Sequence, residues 1–201
     1  MRRAIPACIL LMLLIGCQAG GQAASPQTQA VCGDAEALAG RQAAPLLEER
    51  YGGVVTRTVA IERMRHIEQR LTRANPDLRG EWRFHLLASD KVNAFSLPGG
   101  ILYVTSGLYE RRIGDDDGLL AAVIAHEMAH VQRKDSLKPA CHSASEALAR
   151  EMSADRAAAR HLFAAGYDVQ CLTDLLRMIE DVQPRGWAEA RIASLPMNGK
   201  P

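Results

Sequence analysis

Apolar residues recur every three to four positions along most of the chain, which is the pattern of helices that bury one face. In the stretch 54–74, Ile61, Met64 and Leu71 keep this spacing, and charged residues stand between them. Glycine, proline and capping residues mark where such segments stop. Helices are therefore predicted over 34–51, 54–74, 116–134, 143–165, 168–182 and, as a short last piece, 187–195.

The pattern changes to an alternation of apolar and polar residues between residues 82 and 105, which is typical of strands. Strands are predicted over 82–87, 92–97 and 101–105. Pro98, Gly99 and Gly100 separate the last two and predict a tight hairpin, because glycine tolerates positive φ. We therefore expect an α+β fold, mainly helical, with a small three-stranded antiparallel sheet before helix 116–134.

The composition fits one domain with an aliphatic core. Of the 201 residues, 48% are hydrophobic but only 4% are aromatic, so Leu, Ile, Val, Ala and Met must fill that core. The formal net charge is +1, which gives no sign of the basic surface that nucleic acid requires. Nucleic acid is therefore not expected as a partner.

The first sixteen residues have the pattern of a secretory signal. Arg2 and Arg3 precede an apolar run at 9–15 that is too short to span a bilayer. The run ends in Leu14-Ile15-Gly16-Cys17, which resembles the lipobox of bacterial lipoproteins. The plainer alternative is an ordinary signal peptide followed by a chance cysteine.

The lipobox implies that Cys17 is lipidated and becomes the first residue of a protein held at a membrane by its acyl chains. Gln18 after it implies the outer membrane, with the domain facing the periplasm. Residues 17–33 predict a flexible tether, 34–195 the folded domain and 196–201 a tail. Because such a compartment is oxidising, Cys141 and Cys171, which flank a helix pair, are the preferred disulfide.

The motif H-E-x-x-H occurs once, at His126, Glu127 and His130, on the most strongly predicted helix. Residues four apart share one helix face, so both imidazoles can bind one metal while the glutamate reaches a water beside it. The alternative is a helix with two surface histidines and no metal. The apolar residues around the motif count against it, since imidazoles in a core need partners.

A catalytic zinc needs three protein ligands and one open position. A histidine six residues after His130 would complete one known pattern, but Ser136 stands there. Glu146, Glu151 and His142 remain as candidates, and spacing does not choose between them. A thiolate from Cys32 could also reach the zinc as an inhibitor, although free cysteines are usually inert.

Three blocks, in order, resemble the HtpX-like and prenyl-protein-endopeptidase-like gluzincin family. They are the run from Asn93 to Gly107, the segment 151–155, which reads E-x-x-A-D, and its continuation 164–168, and together they are more specific than H-E-x-x-H alone. The resemblance implies a zincin-like helix bundle whose one Zn²⁺ is bound by His126, His130 and Glu151. It also implies that Asp155 orients a ligand histidine.

The same resemblance implies a zinc-dependent endopeptidase, with Glu127 as general base and protein or peptide substrates, such as misassembled envelope proteins. The strand at Asn93, Ala94 and Phe95 could bind an extended substrate along its edge, or be plain sheet structure. A zinc-stabilised, non-catalytic adaptor or chaperone-like lipoprotein is the alternative, and it would not need Glu127.

One feature departs from the family, whose members commonly carry a His-Pro pair before a late arginine. Here Gln183 precedes Pro184, and no histidine is present in that stretch. Arg185 or Arg191 could replace it, although an ordinary surface arginine is the plainer interpretation. The remaining histidines, at 66, 85 and 161, are expected to be structural or exposed.

Overall fold

A computed structural model describes residues 28–196 of the chain, with side chains from residue 35 onward. The predicted signal peptide (1–16), the predicted lipidation of Cys17, most of the predicted tether and the tail 197–201 lie outside these residues. The Cys32 alternative depends on a side chain outside them too. Within the described part, no helix is both long and apolar enough to cross a membrane.

The described chain is mainly helical, with one short strand between the first and second helices and three strands between the second and third. The α-helices are α1 (Thr28–Arg50), α2 (Thr58–Ala74), α3 (Ser106–Leu108), α4 (Asp117–Gln132), α5 (Ala144–Ala164), α6 (Gln170–Met178) and α7 (Trp187–Ala193). The strands are β1 (Val54–Val55), β2 (Arg83–Leu87), β3 (Ala94–Leu97) and β4 (Ile101–Thr105). A π-helical turn at Tyr109–Ile113 and 3₁₀ turns at Pro76–Leu78, Asp135–Leu137 and Glu180–Val182 complete the elements.

The sheet differs from the predicted one, because it has four strands and is mixed. The strand order is β1-β2-β4-β3. The hairpin of β3 and β4 is antiparallel, as expected, but β2 pairs parallel with β4 and β1 antiparallel with β2. The prediction of a three-stranded antiparallel sheet is therefore wrong, since alternation identifies strands but not which of them become neighbours.

Helices cover both faces of the sheet. Leu102 and Val104 of β4 pack into the large core with α2 and α4, while Ile101 and Tyr103 pack against α1. All five residues of β4 are buried, as expected for a central strand covered on both sides. Strand β3 is left at the edge on the side of α4.

Helix α4 passes through the centre of the fold and carries the H-E-x-x-H motif. Its residues 120–129 are all buried, and it packs against α2, α5, α6 and β3. Alanines on both partners let α4 and α5 approach closely, as at Ala129 and Ala157. The side chain of Asp116 caps α4 by accepting a hydrogen bond from the Leu119 amide at 2.9 Å. The motif therefore sits on a rigid support.

Several predicted element bounds need correction. Helix α1 begins at Thr28, inside the predicted tether. Residues 28–33 contain no proline, and their single glycine does not interrupt the helix. The predicted helix over 54–74 begins only at Thr58, since Gly52 and Gly53, both at positive φ, turn the chain so that Val54 and Val55 pair with β2. The predicted helix over 168–182 ends at Met178, and the helical turns at 106–113 were missed.

The predicted disulfide is also wrong, because Cys141 and Cys171 are both free thiols. Cys171 lies beside Gly118, at the amino-terminal end of α4. Cys141 follows the turn beyond the carboxy-terminal end of the same helix. A helix of this length spans about 24 Å, whereas disulfide-bonded Cα atoms lie within about 7 Å of each other.

Candidate metal centre

His126, His130 and Glu151 converge in the interior of the fold. The two histidines stand one turn apart on α4, and α5 runs back along α4 to bring Glu151 opposite them. His126 Nε2 lies 3.0 Å from His130 Nε2. The Glu151 oxygens lie 3.3 Å from His126 Nε2 and 3.5 Å from His130 Nε2. His126 and Glu151 are buried, and the His130 side chain is only 13% exposed.

These three side chains fit a zinc ion. With zinc bonds of about 2.0–2.1 Å, tetrahedral ligand atoms lie about 3.3 Å apart, close to the separations seen here. Oε2 of Glu151 is buried without a hydrogen-bond partner in the described structure, although buried polar atoms are normally satisfied. Two imidazole nitrogens and one carboxylate oxygen form a donor set typical of catalytic zinc.

The other two candidates for the third ligand are committed elsewhere or exposed. Glu146 stabilises the start of α5, where its Oε2 accepts a hydrogen bond from the His142 amide at 2.8 Å. The Glu146 amide donates to Ser143 Oγ at 3.1 Å in the same cap. His142 and Glu146 are both exposed. The position in the fold therefore distinguishes Glu151 from the other two candidate ligands, which spacing in the sequence could not do.

The electrostatics of the cluster favour protonated histidines beside an ionised carboxylate. Burial alone would lower the pKa of His130, but the charge of Glu151 and the hydrogen bond to Asp135 outweigh it and raise that pKa to about 10. Burial would raise the pKa of Glu151, yet the two imidazoles hold it well below its usual value. A metal cation would take the place of the protons that these imidazoles carry.

Each of the two histidines in the cluster has a carboxylate behind its ring. His126 Nδ1 lies 2.9 Å from Asp155 Oδ1, which is the contact predicted for Asp155. His130 Nδ1 lies 2.9 Å from Asp135 Oδ2, a partner that the sequence reasoning missed. Such carboxylates fix the ring orientation and direct Nε2 at the metal position. The sequence signal that could have identified Asp135 is its position in the turn directly after the motif helix.

Arg191 is buried beneath this cluster, so the interpretation of it as a surface arginine is wrong. It is only 2% exposed. Nε and Nη2 donate to the two oxygens of Asp155 at 2.7 and 2.8 Å, and Nη1 donates to Gln183 Oε1 at 2.8 Å. Nη2 also lies 3.4 Å from Glu151 Oε2. Packing of α7 against α5 turns this residue inward, whereas Arg185 stays exposed.

Glu127 lies beside the cluster and in contact with β3. Its residue is 4% exposed, and Ser96 Oγ donates to its Oε2 at 3.0 Å. Its Oε1 accepts no hydrogen bond from the described residues. The carboxylate is therefore held by one oxygen only, a contact that the sequence did not indicate.

The three residues proposed to bind substrate point in different directions. The Ala94 side chain belongs to the core cluster shared with α4, and Asn93 Nδ2 donates to the Tyr51 hydroxyl at 3.0 Å. The Phe95 ring stacks on Tyr103, with centroids 5.1 Å apart, in the cluster packed against α1. The Phe95 side chain therefore supports the sheet face remote from the metal cluster.

The remaining histidines lie outside the cluster. His66 is exposed, and His85 stacks on Tyr103 with the ring centroids 5.1 Å apart. His161 is buried and lies 3.5 Å from Asp77. The expectation that these three are structural or exposed is consistent with these positions.

Residues 60–149 match the family model described as Peptidase family M48. This stretch is therefore similar to M48 peptidase domains. The match contains His126, Glu127 and His130 and ends two residues before Glu151. The resemblance inferred from the three sequence blocks is thereby confirmed at the level of the family.

Curated relatives with this domain are much longer proteins. The chain is 31% identical to the beta-barrel assembly-enhancing protease of Yersinia pestis over 120 residues, which cover 60% of this chain and 22% of that protein. It is 44% identical to the mitochondrial metalloendopeptidase OMA1 of Schizosaccharomyces pombe over 50 residues, 25% of this chain and 14% of the relative. The chain therefore spans less than a quarter of the length of each of these relatives.

Proposed function

We propose that this chain is a zinc-dependent endopeptidase, with one Zn²⁺ bound by His126, His130 and Glu151. The observation that carries the proposal is the buried His-His-Glu cluster with the Glu127 carboxylate beside it. An adaptor stabilised by zinc would need the three ligands but not a fourth, partly free carboxylate at the same place. The M48 match and the relatives' names, protease and metalloendopeptidase, support the same reaction class.

The chain's own residues perform the proton transfers in this proposal. Zinc, when bound, supplies a Lewis acid that polarises the scissile carbonyl and makes water more acidic. Ser96 fixes one oxygen of Glu127, so the other oxygen is available to take a proton from the attacking water and deliver it to the leaving amine. Asp155 and Asp135 hold the histidine rings in place.

The edge of β3 is suited to hold an extended substrate. The Asn93 carbonyl accepts a hydrogen bond from the Thr105 amide. Along an antiparallel strand, only every second residue hydrogen-bonds to the same neighbour, so the backbone N–H and C=O groups of Ala94 and Ser96 point away from β4. No described strand pairs with that outer side. A substrate strand added there would lie next to Ser96 and hence next to Glu127.

We further propose that lipidation at Cys17 anchors the protein at the outer membrane, where it cleaves unfolded or misassembled envelope proteins. The lipobox-like sequence supports the anchor. The printed name of the Yersinia relative, which refers to beta-barrel assembly, supports an envelope role. Metabolic labelling with a palmitate analogue tests the anchor, and a Cys17→Ser variant that still incorporates the label would refute it.

The test of the activity compares the zinc-loaded protein with its Glu127→Gln variant on an unfolded model protein. The variant should keep one zinc per chain and lose cleavage by about 10²- to 10⁴-fold, the usual contribution of a general base. Glu146→Gln, which changes an exposed glutamate in the same way, should cleave like the parent protein. Cleavage by neither protein would favour the non-catalytic adaptor, and equal cleavage by the parent and Glu127→Gln would show that Glu127 is not the general base.

A further inference from the structure

Helix α1 covers the face of the sheet remote from the metal cluster and contacts the edge strand β3. Alternate side chains of a strand point to opposite faces of its sheet. In β3, Ser96 faces α4 and donates to the Glu127 carboxylate at 3.0 Å, whereas Phe95 and Leu97 lie in the apolar cluster formed with α1. The strand that holds the proposed general base is therefore supported from behind by α1.

The first contact of α1 lies at the hairpin turn that follows β3. Gly40 is so close to this turn that a β-carbon added to it would overlap the Pro98 carbonyl oxygen. Ala37, one turn earlier on the helix, lies against Gly99. Glycine inside a helix is less favourable than alanine by about 1 kcal/mol. The close approach of the hairpin turn gives a physical reason for glycine at this position.

The second contact lies at the other end of β3. Asn93, which directly precedes the strand, donates through Nδ2 to the hydroxyl of Tyr51, the residue after α1, at 3.0 Å. The Tyr51 ring also lies beside the Phe95 ring, with the centroids 5.1 Å apart. Glu48, one turn earlier, accepts a hydrogen bond from the hydroxyl of Tyr103 on β4 at 2.7 Å. The helix and the residue after it thus hold β3 at both ends.

Strand β3 has little other support. It pairs with β4 on one side, and no described strand pairs with its other side. Such an edge is more easily displaced than the central strand β4, which is buried along its whole length. Since a misplacement of about 1 Å in a catalytic group can cost about 10²-fold in rate, the position of Glu127 depends on what holds β3.

We propose that α1 positions the general base, with Gly40 and Tyr51 as positioning residues that act through β3 and Ser96 on Glu127. Helix α1 lies upstream of residues 60–149, which match the family model, so the match assigns it no role. The inference rests on the proposed peptidase function and adds a requirement to it. Variants in which α1 is loosened should bind zinc as the parent protein does and cleave more slowly.

Hydrogen–deuterium exchange of the zinc-loaded protein tests whether α1 holds β3. The pairing register predicts that the amides of Phe95 and Leu97 donate to β4, so their exchange reports on the strand. It should be at least about 10-fold faster in Gly40→Ala, where the new methyl group forces the helix away from the hairpin turn, and also faster in Tyr51→Phe. Exchange in α5 and the zinc content should match the parent. Gly80→Ala is the matched control, because its β-carbon would meet no other atom within 4 Å.

Steady-state cleavage of a peptide tests whether the effect reaches Glu127. Gly40→Ala should lower kcat by about 10-fold or more, because proton transfer belongs to the chemical step, and Tyr51→Phe should lower it less. A double-mutant cycle with Ser96→Ala tests the path. If α1 acts through the Ser96 hydroxyl, adding Tyr51→Phe to Ser96→Ala should cause a further loss of less than about 2-fold. A general loss of stability would add in full.

Parent-like exchange of β3 in both α1 variants would overturn the proposal, and so would faster exchange with an unchanged kcat. Additive losses in the cycle would also overturn it. Loss of cleavage in Glu127→Gln alone, with parent-like cleavage by both α1 variants, would reject the role of α1 and leave the peptidase function intact. No cleavage by the parent protein would instead refute the peptidase function, and the exchange experiment would still decide whether α1 holds β3.

Discussion

Replacement of Arg191 by methionine removes the guanidinium that donates two hydrogen bonds to Asp155. Methionine is similar in length and apolar, so it fills much of the same space without a charge. Asp155 is fully buried and would keep one contact, to His126. Its carboxylate would then lie in the interior without the two hydrogen bonds that Arg191 donates to it.

The magnitude follows from the burial of both partners, which are 2% and 0% exposed. Removing one partner of a buried ion pair destabilises proteins by about 3–5 kcal/mol, since the other charge stays buried and uncompensated. A domain of this size is stable by about 5–15 kcal/mol, so the loss is a large fraction of the total. Without Arg191, Asp155 would hold the His126 ring less firmly. Zinc binding should therefore also weaken, by about 10- to 100-fold.

Urea unfolding followed by tryptophan fluorescence measures the stability, and competition with a chelator measures the zinc affinity. Arg185→Met is the matched control, because Arg185 is exposed and should change stability by no more than about 0.5 kcal/mol. A loss below about 1 kcal/mol in Arg191→Met, with unchanged zinc affinity, would refute the role of this arginine beneath the metal site.

Three further outcomes follow from the same geometry. Glu151→Gln should lower zinc content measured by mass spectrometry, while Glu146→Gln should not; equal content would remove Glu151 from the ligand set. The pKa of His130 is raised to about 10 in the metal-free protein by Glu151 and Asp135, so its imidazole carries a proton at pH 7, and the pKa of His126 is raised as well. Zinc uptake should then release protons, seen by calorimetry in two buffers, and zinc affinity should rise with pH; uptake without proton release would contradict this. Burial and nearby aspartates raise the pKa of the Cys171 thiol to about 12, so alkylation at pH 8 should be slow until the protein is unfolded, and fast alkylation of the folded protein would show it to be accessible.

Local sequence signals predicted the helices around the site well. Helix α4 has aspartates at its start and arginine and lysine after its end, and α5 has Ser143 as its cap and Gly166 just beyond its end, so both were placed to within about two residues. The H-E-x-x-H spacing is itself a property of one helix. The two proposed ligand histidines and the proposed general base therefore follow from adjacent residues of one helix.

Contacts between distant segments could not be predicted in this way. The partner of β2 is decided by how the chain crosses the sheet, which alternation does not encode. Glu151 was chosen through the family resemblance, because spacing alone left three candidates. Arg191 was interpreted as a surface residue, since nothing in its neighbours shows that α7 folds back onto α5.

The most direct test of the central claim is zinc X-ray absorption spectroscopy of the zinc-loaded protein. Ligation by His126, His130 and Glu151 predicts two imidazole nitrogens at about 2.0–2.1 Å and oxygen ligands at about 2.0–2.2 Å. The Glu151→Ala variant should lose this spectrum together with most of its zinc. A sulfur ligand at about 2.3 Å, or a parent spectrum retained in Glu151→Ala, would contradict the proposed metal centre.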